Sequence, residues 1–133
     1  MRTTRLNPAT IAPPVGGYSH SVRVETHEAI WIYVSGQIAQ DLDGTLVAPG
    51  DLPAQTEQVF ENLSKVLGSN GATFADVVKI QTFFTTLEGL EASRQIRARY
   101  LPQEPPASTA VQVVALVVPD AVIEVEVVAV ITA

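Results

Sequence analysis

Glu124 and Glu126 stand two residues apart in the stretch Ile123-Glu-Val-Glu-Val127, the only acids on an otherwise apolar segment. In an extended chain residues i and i+2 share a face, so both carboxylates point the same way. A carboxylate among valines is poorly solvated. Its pKa rises, and it can then move a proton near neutral pH. The competing reading is an ion pair with an arginine from elsewhere. That is the better reading for Glu126; for Glu124 the two stand level.

Other residues offer contacts rather than a complete site. Ser35 and Gly36, in Val-Ser-Gly-Gln-Ile, place a hydroxyl and an uncrowded amide at the end of a strand. Such a corner can hold an oxyanion or a carboxylate, or be a plain turn. Tyr18 follows Gly16-Gly17, where the backbone can bend sharply, and is either a lid or a core aromatic. Arg94, Arg97 and Arg99 suit a solvated helix face, but Arg94 and Arg97 lie one turn apart and can reach one anion together. Ser108 and Thr109 are the only side-chain hydrogen-bonders at the entry to the apolar run Ala110–Val118 before Gln112. His20 and His27 are seven apart with no metal-ligand spacing. His27 reads as a solvated turn residue and His20 as a structural hydrogen-bonder.

Composition narrows the chemistry. The 133 residues fit one domain spanning 1–133 and contain no cysteine, which rules out disulfides, thiolate nucleophiles and cysteine metal sites. No Walker loop, G-x-G-x-x-G, G-x-S-x-G or metal cluster is present. The formal net charge of −6 argues against nucleic acid as a partner. Every Lys and Arg lies at or before Arg99, so Glu104, Asp120, Glu124 and Glu126 need cations from elsewhere in the fold or from another chain. The N-terminus has cations without an apolar segment behind them, and the apolar runs are strand-sized. No membrane association and a cytoplasmic location are the expectation.

The elements that must position these groups follow from periodicity. Residues 17–25 and 29–38 read as two strands joined by a turn at His27-Glu28, hence a hairpin. Residues 41–51 are a loop with an Asp43-Gly44 turn signal. Within 51–71, Val59, Phe60, Leu63, Val66 and Leu67 recur at helical spacing, with Asp51 as cap, Pro53 in the first turn and Gly68 or Gly71 at the end. Residues 76–86 form a strand. Thr86 caps a second helix over roughly 87–101, with Leu87, Leu90, Ile96 and Tyr100 inward. Strands at 108–117 and 121–132 follow. The order is strand, strand, helix, strand, helix, strand, strand: an α+β arrangement with the helices on one face of a mixed sheet.

The last two strands are apolar on both faces along most of their length. Such strands are covered on both sides, and two helices cover only one. Leaving the second face wet would expose a valine patch larger than monomers carry. Self-association through that face is the economical solution, and it places Glu124 and Glu126 where a partner chain supplies their surroundings.

Gly-Gly-Tyr-Ser-His-Ser-Val-Arg-Val at 16–24, Val-Ser-Gly-Gln-Ile at 34–38, the segment 55–84, Pro-Pro-Ala-Ser-Thr-Ala-Val-Gln-Val-Val-Ala-Leu at 105–116 and Ile-Glu-Val-Glu-Val-Val-Ala-Val at 123–130 together resemble the RidA/YjgF family over nearly the whole chain. The resemblance implies a chorismate-mutase-like (YjgF-like) fold and a homotrimer, with sheets around a central barrel and three clefts between subunits. It also implies cofactor-free hydrolysis of reactive enamines and imines of 2-amino acids to 2-keto acids and ammonia. Tyr18 matches the family's cleft tyrosine, Ser35 and Gly36 its strand-end motif, and Glu124 the glutamate that handles the water or proton. The family's carboxylate-clamping arginine, in a Pro-Ala-Arg-Ser/Thr pattern, falls on Ser108. A charge-assisted pair contributes about 1.5–3 kcal/mol, so its loss argues against efficient 2-imino acid hydrolysis. A family asparagine on the second helix falls on Arg94, which suggests that Arg94 restores the lost cation from another direction.

Two functions follow. One is an enzyme acting on a small enamine, imine or related carbonyl metabolite by deamination or tautomerisation, with Glu124 as acid/base. The other is a non-catalytic trimer that binds a small metabolite or a regulatory partner. Retained Glu124 favours the enzyme.

Overall fold

In the computed structural model, which describes residues 1–133, eight main elements carry the chain. They are β1 Arg2–Leu6, β2 Ser21–Glu25, β3 Ala29–Gln37, α1 Leu52–Ser69, β4 Val77–Phe84, α2 Leu90–Tyr100, β5 Ala107–Gln112 and β6 Ile123–Thr132. A 3-10 turn at Phe74–Asp76, closed by a Thr73–Asp76 capping box, leads into β4. The strands form one sheet in the order β1-β2-β3-β6-β4-β5. Every pairing is antiparallel except β4 with β5, where α2 serves as the crossover that a parallel neighbour requires.

Alternation along the strands separates two faces. Ile30, Ile32 and Val34 of β3, Ile80 and Phe84 of β4, and Ile123, Val125, Val127 and Ala129 of β6 are all buried. They meet Val59, Phe60, Leu63, Val66 and Leu67 of α1, the stripe expected from helical spacing. Each such Val, Leu, Ile or Phe side chain withdrawn from water contributes roughly 1.5–3 kcal/mol. Asp51 caps α1 by accepting from the Ala54 N–H at 3.1 Å, and Gly71, at φ 77, takes the left-handed turn just past its end. The opposite face has no helix. Trp31 and Tyr33 are 40% and 48% exposed on it, with half-buried Val128 and Val130 beside them.

Four sequence expectations are corrected. The strand expected from residue 17 begins at Ser21, because Gly16–Tyr18 bends tightly, the Tyr18 N–H returning to the Gly16 carbonyl at 2.9 Å. An unexpected strand, β1, pairs with β2. Its sequence, Arg-Thr-Thr-Arg-Leu, lacks apolar alternation because it forms a charged sheet edge, which tolerates polar residues. The strand expected over 108–117 stops at Gln112. Its one partner turns away after Phe84, where the Thr85 N–H bonds to the Val122 carbonyl at 3.1 Å, and Val114 and Val117 lie open to solvent. The second helix begins at Leu90, not 87. Thr86 accepts from the Glu88 N–H in a turn instead of capping the helix, Gly89 at φ 83 opens it, and Leu87 is exposed. No helix is long and apolar enough to cross a membrane.

Candidate functional site

β6 carries Glu124 on the helix-free face, opposite Phe83 of β4. Its other neighbour, β3, slips register between Val34, which pairs with Val127, and Gln37, which pairs with Val125. The extra residue makes a bulge at Ser35-Gly36, a device that re-aims a strand beside a site. Gly36 lies directly against the Glu124 carboxyl group: a Cβ at this position would stand 2.7 Å from Cδ of Glu124 and 3.0 Å from Oε2. Only glycine lets the acid lie flat on the strand.

The bulge is braced from behind. Ser35 Oγ donates to the Ser19 carbonyl at 2.6 Å, and the Ser35 N–H donates to the His20 carbonyl at 2.9 Å. The buried His20 ring donates from Nε2 to the Ala12 carbonyl at 2.7 Å, which leaves Nδ1 to accept from Gln37 Nε2 at 3.1 Å. His20 is thus a structural hydrogen-bonder, as its sequence context suggested. Tyr18 packs edge-on to His20 with ring centroids 6.1 Å apart and is 43% exposed, so it is a wall and not a core residue. Tyr18, Ser35, Gly36, Glu124 and Glu126 line one cavity of about 300 Å³. Burial, and secondarily the Glu126 charge, raise the Glu124 pKa above its usual 4.5. The half-buried Glu124 carboxylate forms no salt bridge in the chain.

Ser108 and Arg94 lie elsewhere. In the parallel register Ser108 sits beside Ile80, on the helix-bearing face, where it lines a cavity of about 470 Å³ between α2 and the sheet edge. Arg94 and Arg97 line the same cavity, with Phe84, Leu90 and Ile123 as part of its apolar wall. Arg97, not Arg94, reaches the serine: its Nη2 donates to Ser108 Oγ at 3.0 Å and its Nη1 to Thr82 Oγ1 at 3.4 Å. Burial, and then the neighbouring Arg94 charge, lower the Arg97 pKa. The three ion pairs of the chain, Arg2–Glu25, Arg23–Glu25 and Arg99–Glu57, leave both Arg94 and Arg97 without a carboxylate.

One chain therefore brings Tyr18, Ser35, Gly36 and Glu124 together on one face of the sheet, and Arg94 and Ser108 together on the other. It does not join the two groups. The contact of Arg97 with Ser108 was not foreseen, although the one-turn spacing of Arg94 and Arg97 was the signal that could have found it. No three His, Cys, Asp or Glu side chains stand close enough to hold a metal ion.

The sheet order, the parallel β4–β5 pair and two helices on one face define an α+β protein of the chorismate-mutase-like (YjgF-like) fold. Residues 9–131 match the family model described as Endoribonuclease L-PSP, and the chain belongs to that family, the RidA/YjgF proteins. It is 34% identical over 118 residues to the 3-aminoacrylate deaminase RutC of Acinetobacter baylyi, covering 89% of this chain and 90% of the relative. It is 33% identical over 116 residues to a RutC family protein of Pyrococcus abyssi, covering 87% of each. Among solved structures, RidA from an Antarctic Psychrobacter superposes with a TM-score of 0.86 at 31% identity, covering 96% of this chain and 99% of that one.

Proposed function

We propose that the protein hydrolyses a small enamine or imine to a carbonyl compound and ammonia, in a cleft shared between copies of the chain in a homotrimer, with Glu124 moving the protons. The observation that carries this reading is the Glu124 carboxyl group. It is half-buried, raised in pKa, without an ion-pair partner, and laid on a strand that only glycine leaves open for it. A structural acid would be paired or solvated. A relative is named for deaminating 3-aminoacrylate, which is itself an enamine.

The chemistry needs little else. The neutral carboxyl of Glu124 protonates the enamine carbon, or the nitrogen of the imine, and the resulting iminium carbon becomes electrophilic. The carboxylate then accepts a proton from water as the water oxygen bonds to that carbon. Net transfer of the hydroxyl proton of the resulting carbinolamine to its nitrogen, relayed by Glu124, breaks the C–N bond, releases ammonia and leaves C=O with the Glu124 carboxyl neutral again, water being the only co-reactant. An acid whose pKa lies closer to neutrality than that of a free glutamate serves both steps. The Ser35 and Gly36 bulge supplies polar contacts, and Tyr18 walls the cleft.

The shared cleft is supported by the helix-free face. Trp31, Tyr33, Val128 and Val130 form an apolar surface of the kind that seeks a partner. Cleavage of RNA fits poorly with a net charge of −6. The test is ammonia release from freshly generated 2-iminobutyrate and 3-aminoacrylate, wild type beside Glu124→Gln. Wild-type release reduced at least about 100-fold by Glu124→Gln is expected, within the range of one general acid–base group. No release above the uncatalysed rate on either substrate would overturn the proposal and favour a binding protein.

A further inference from the structure

Arg97 is the one half-buried guanidinium that meets only hydroxyl groups. Ser108 Oγ and Thr82 Oγ1 accept from it, and neither carries charge. Guanidinium has five N–H donors in a planar fork, and two such bonds leave three donors unused on a side chain that lines the cavity. Arg94, one turn back on α2, lines the same space, and no aspartate or glutamate does. Two like charges so placed repel each other, which is visible in the Arg94 contribution to the lowered Arg97 pKa. An anion seated between them removes that penalty and completes the fork. The rest of the wall is apolar, with Phe84, Leu90 and Ile123 contributing.

We infer that Arg97, braced by Ser108 and Thr82 and seconded by Arg94, binds the carboxylate of the ligand, which is a small monocarboxylate with an apolar side chain. On the hydrolytic reading, on which this clause alone depends, the substrate is an enamine or imine acid and the product a 2-oxo acid. Ser108 is then an accommodation and not a deficit. A guanidinium at position 108 would crowd a third cation against Arg97 and Arg94, whereas a hydroxyl orients the one that arrives from the helix. The resemblance-based expectation that Arg94 supplies the cation is refined: Arg97 makes the contact, and Arg94 lends charge from a more exposed position.

Binding separates this inference from catalysis. The full-length protein is titrated by calorimetry with 2-oxopentanoate and with its neutral counterpart 2-oxopentanamide, at low and moderate salt. Wild type should bind the acid at least about tenfold more tightly than the amide, one charge-assisted pair's worth. Arg97→Met should erase that preference. Arg97→Lys, which keeps the charge and loses the fork, should retain part of it. Circular dichroism establishes that each variant is folded, and the lysine variant keeps the test decisive should the methionine variant unfold. Equal binding of acid and amide by wild type, no binding of either, or unchanged acid binding by Arg97→Met would each overturn the inference. A failed hydrolysis assay of the wild-type protein with its preference for acid over amide intact overturns the reaction and leaves the carboxylate site standing.

Discussion

Gly36 has no side chain and governs the placement of the carboxyl group proposed to move the protons. The Glu124 carboxyl occupies the space where any Cβ at position 36 would project, 2.7 Å from Cδ. The obstacle is the far end of a flexible side chain, so Gly36→Ala need not disturb the sheet. It must displace the acid. The expected outcome is a loss of ammonia release of about 100-fold, since small misplacement of a catalytic group is costly, with a stability change below about 1 kcal/mol. Paired urea melts and initial rates check this. A variant that loses stability and activity in proportion would show that Gly36 serves the fold and not the acid. The same residue scale explains why Ser108 alone misleads. Read in isolation, a serine at that position signals a missing cation. Its meaning changes once Arg97 is found against it at 3.0 Å.

At the scale of elements, α1 and α2 must stay docked for Arg97 to overhang β5. Tyr100 near the end of α2 places its hydroxyl 2.6 Å from both Glu57 Oε1 and Glu61 Oε1 on α1, while Arg99 holds the other oxygen of Glu57 at 2.7 Å. Burial, then the hydrogen bonds to these two acids, raise the phenol pKa. The ring packs on Phe60 with centroids 5.3 Å apart. Tyr100→Phe keeps that packing and leaves two carboxylates one turn apart without their shared donor. The pair is partly exposed, so the expected cost is about 1 kcal/mol, read as a fall in thermal midpoint of about 3–5 °C. An unchanged midpoint would mean that the ring packing alone docks the helices. The α1 stripe that receives Tyr100 was legible in the sequence, because five apolar residues at helical spacing admit one reading. The hairpin of β2 and β3 was legible for the same reason, from β-branched runs around a short turn. The boundaries of α2 and β5 were not. Valines 113, 114 and 117 look like strand, but whether they are one depends on a partner strand, and β4 ends first. β1 was invisible because an edge strand of Arg and Thr carries no burial signal. The face of Glu124 was legible in the alternation along β6, whereas that of Ser108 depended on the register of β5 against β4, because β5 is exposed throughout and carries no alternation of its own.

At the scale of the whole molecule, the decisive fact is that the two groups of site residues lie on opposite faces of one sheet. Ser108 stands beside Ile80 and Glu124 beside Phe83, and side chains alternate across β4. On the homotrimer proposed above, a closed site containing both takes one half from each of two copies, joined head to tail around a ring. This permits a test that needs no structure of the assembly. Glu124→Gln chains and Arg97→Met chains are each expected to be weakly active alone. Co-expressed in equal amounts, they form mixed rings in which a given cleft draws its Arg97 half from one chain and its Glu124 half from another. Random assortment makes about one cleft in four intact, so activity should return to roughly a quarter of the wild-type value. Activity no higher than the mean of the two separate variants would mean that each chain completes its own site, and the division of the cleft between faces would be wrong. Adding Trp31→Glu to both chains places a charge on the apolar face and should abolish the restored activity while the single-chain species stays folded, since the buried side of the sheet is untouched. Sedimentation and rate measurements on the same samples decide whether the restoration requires association.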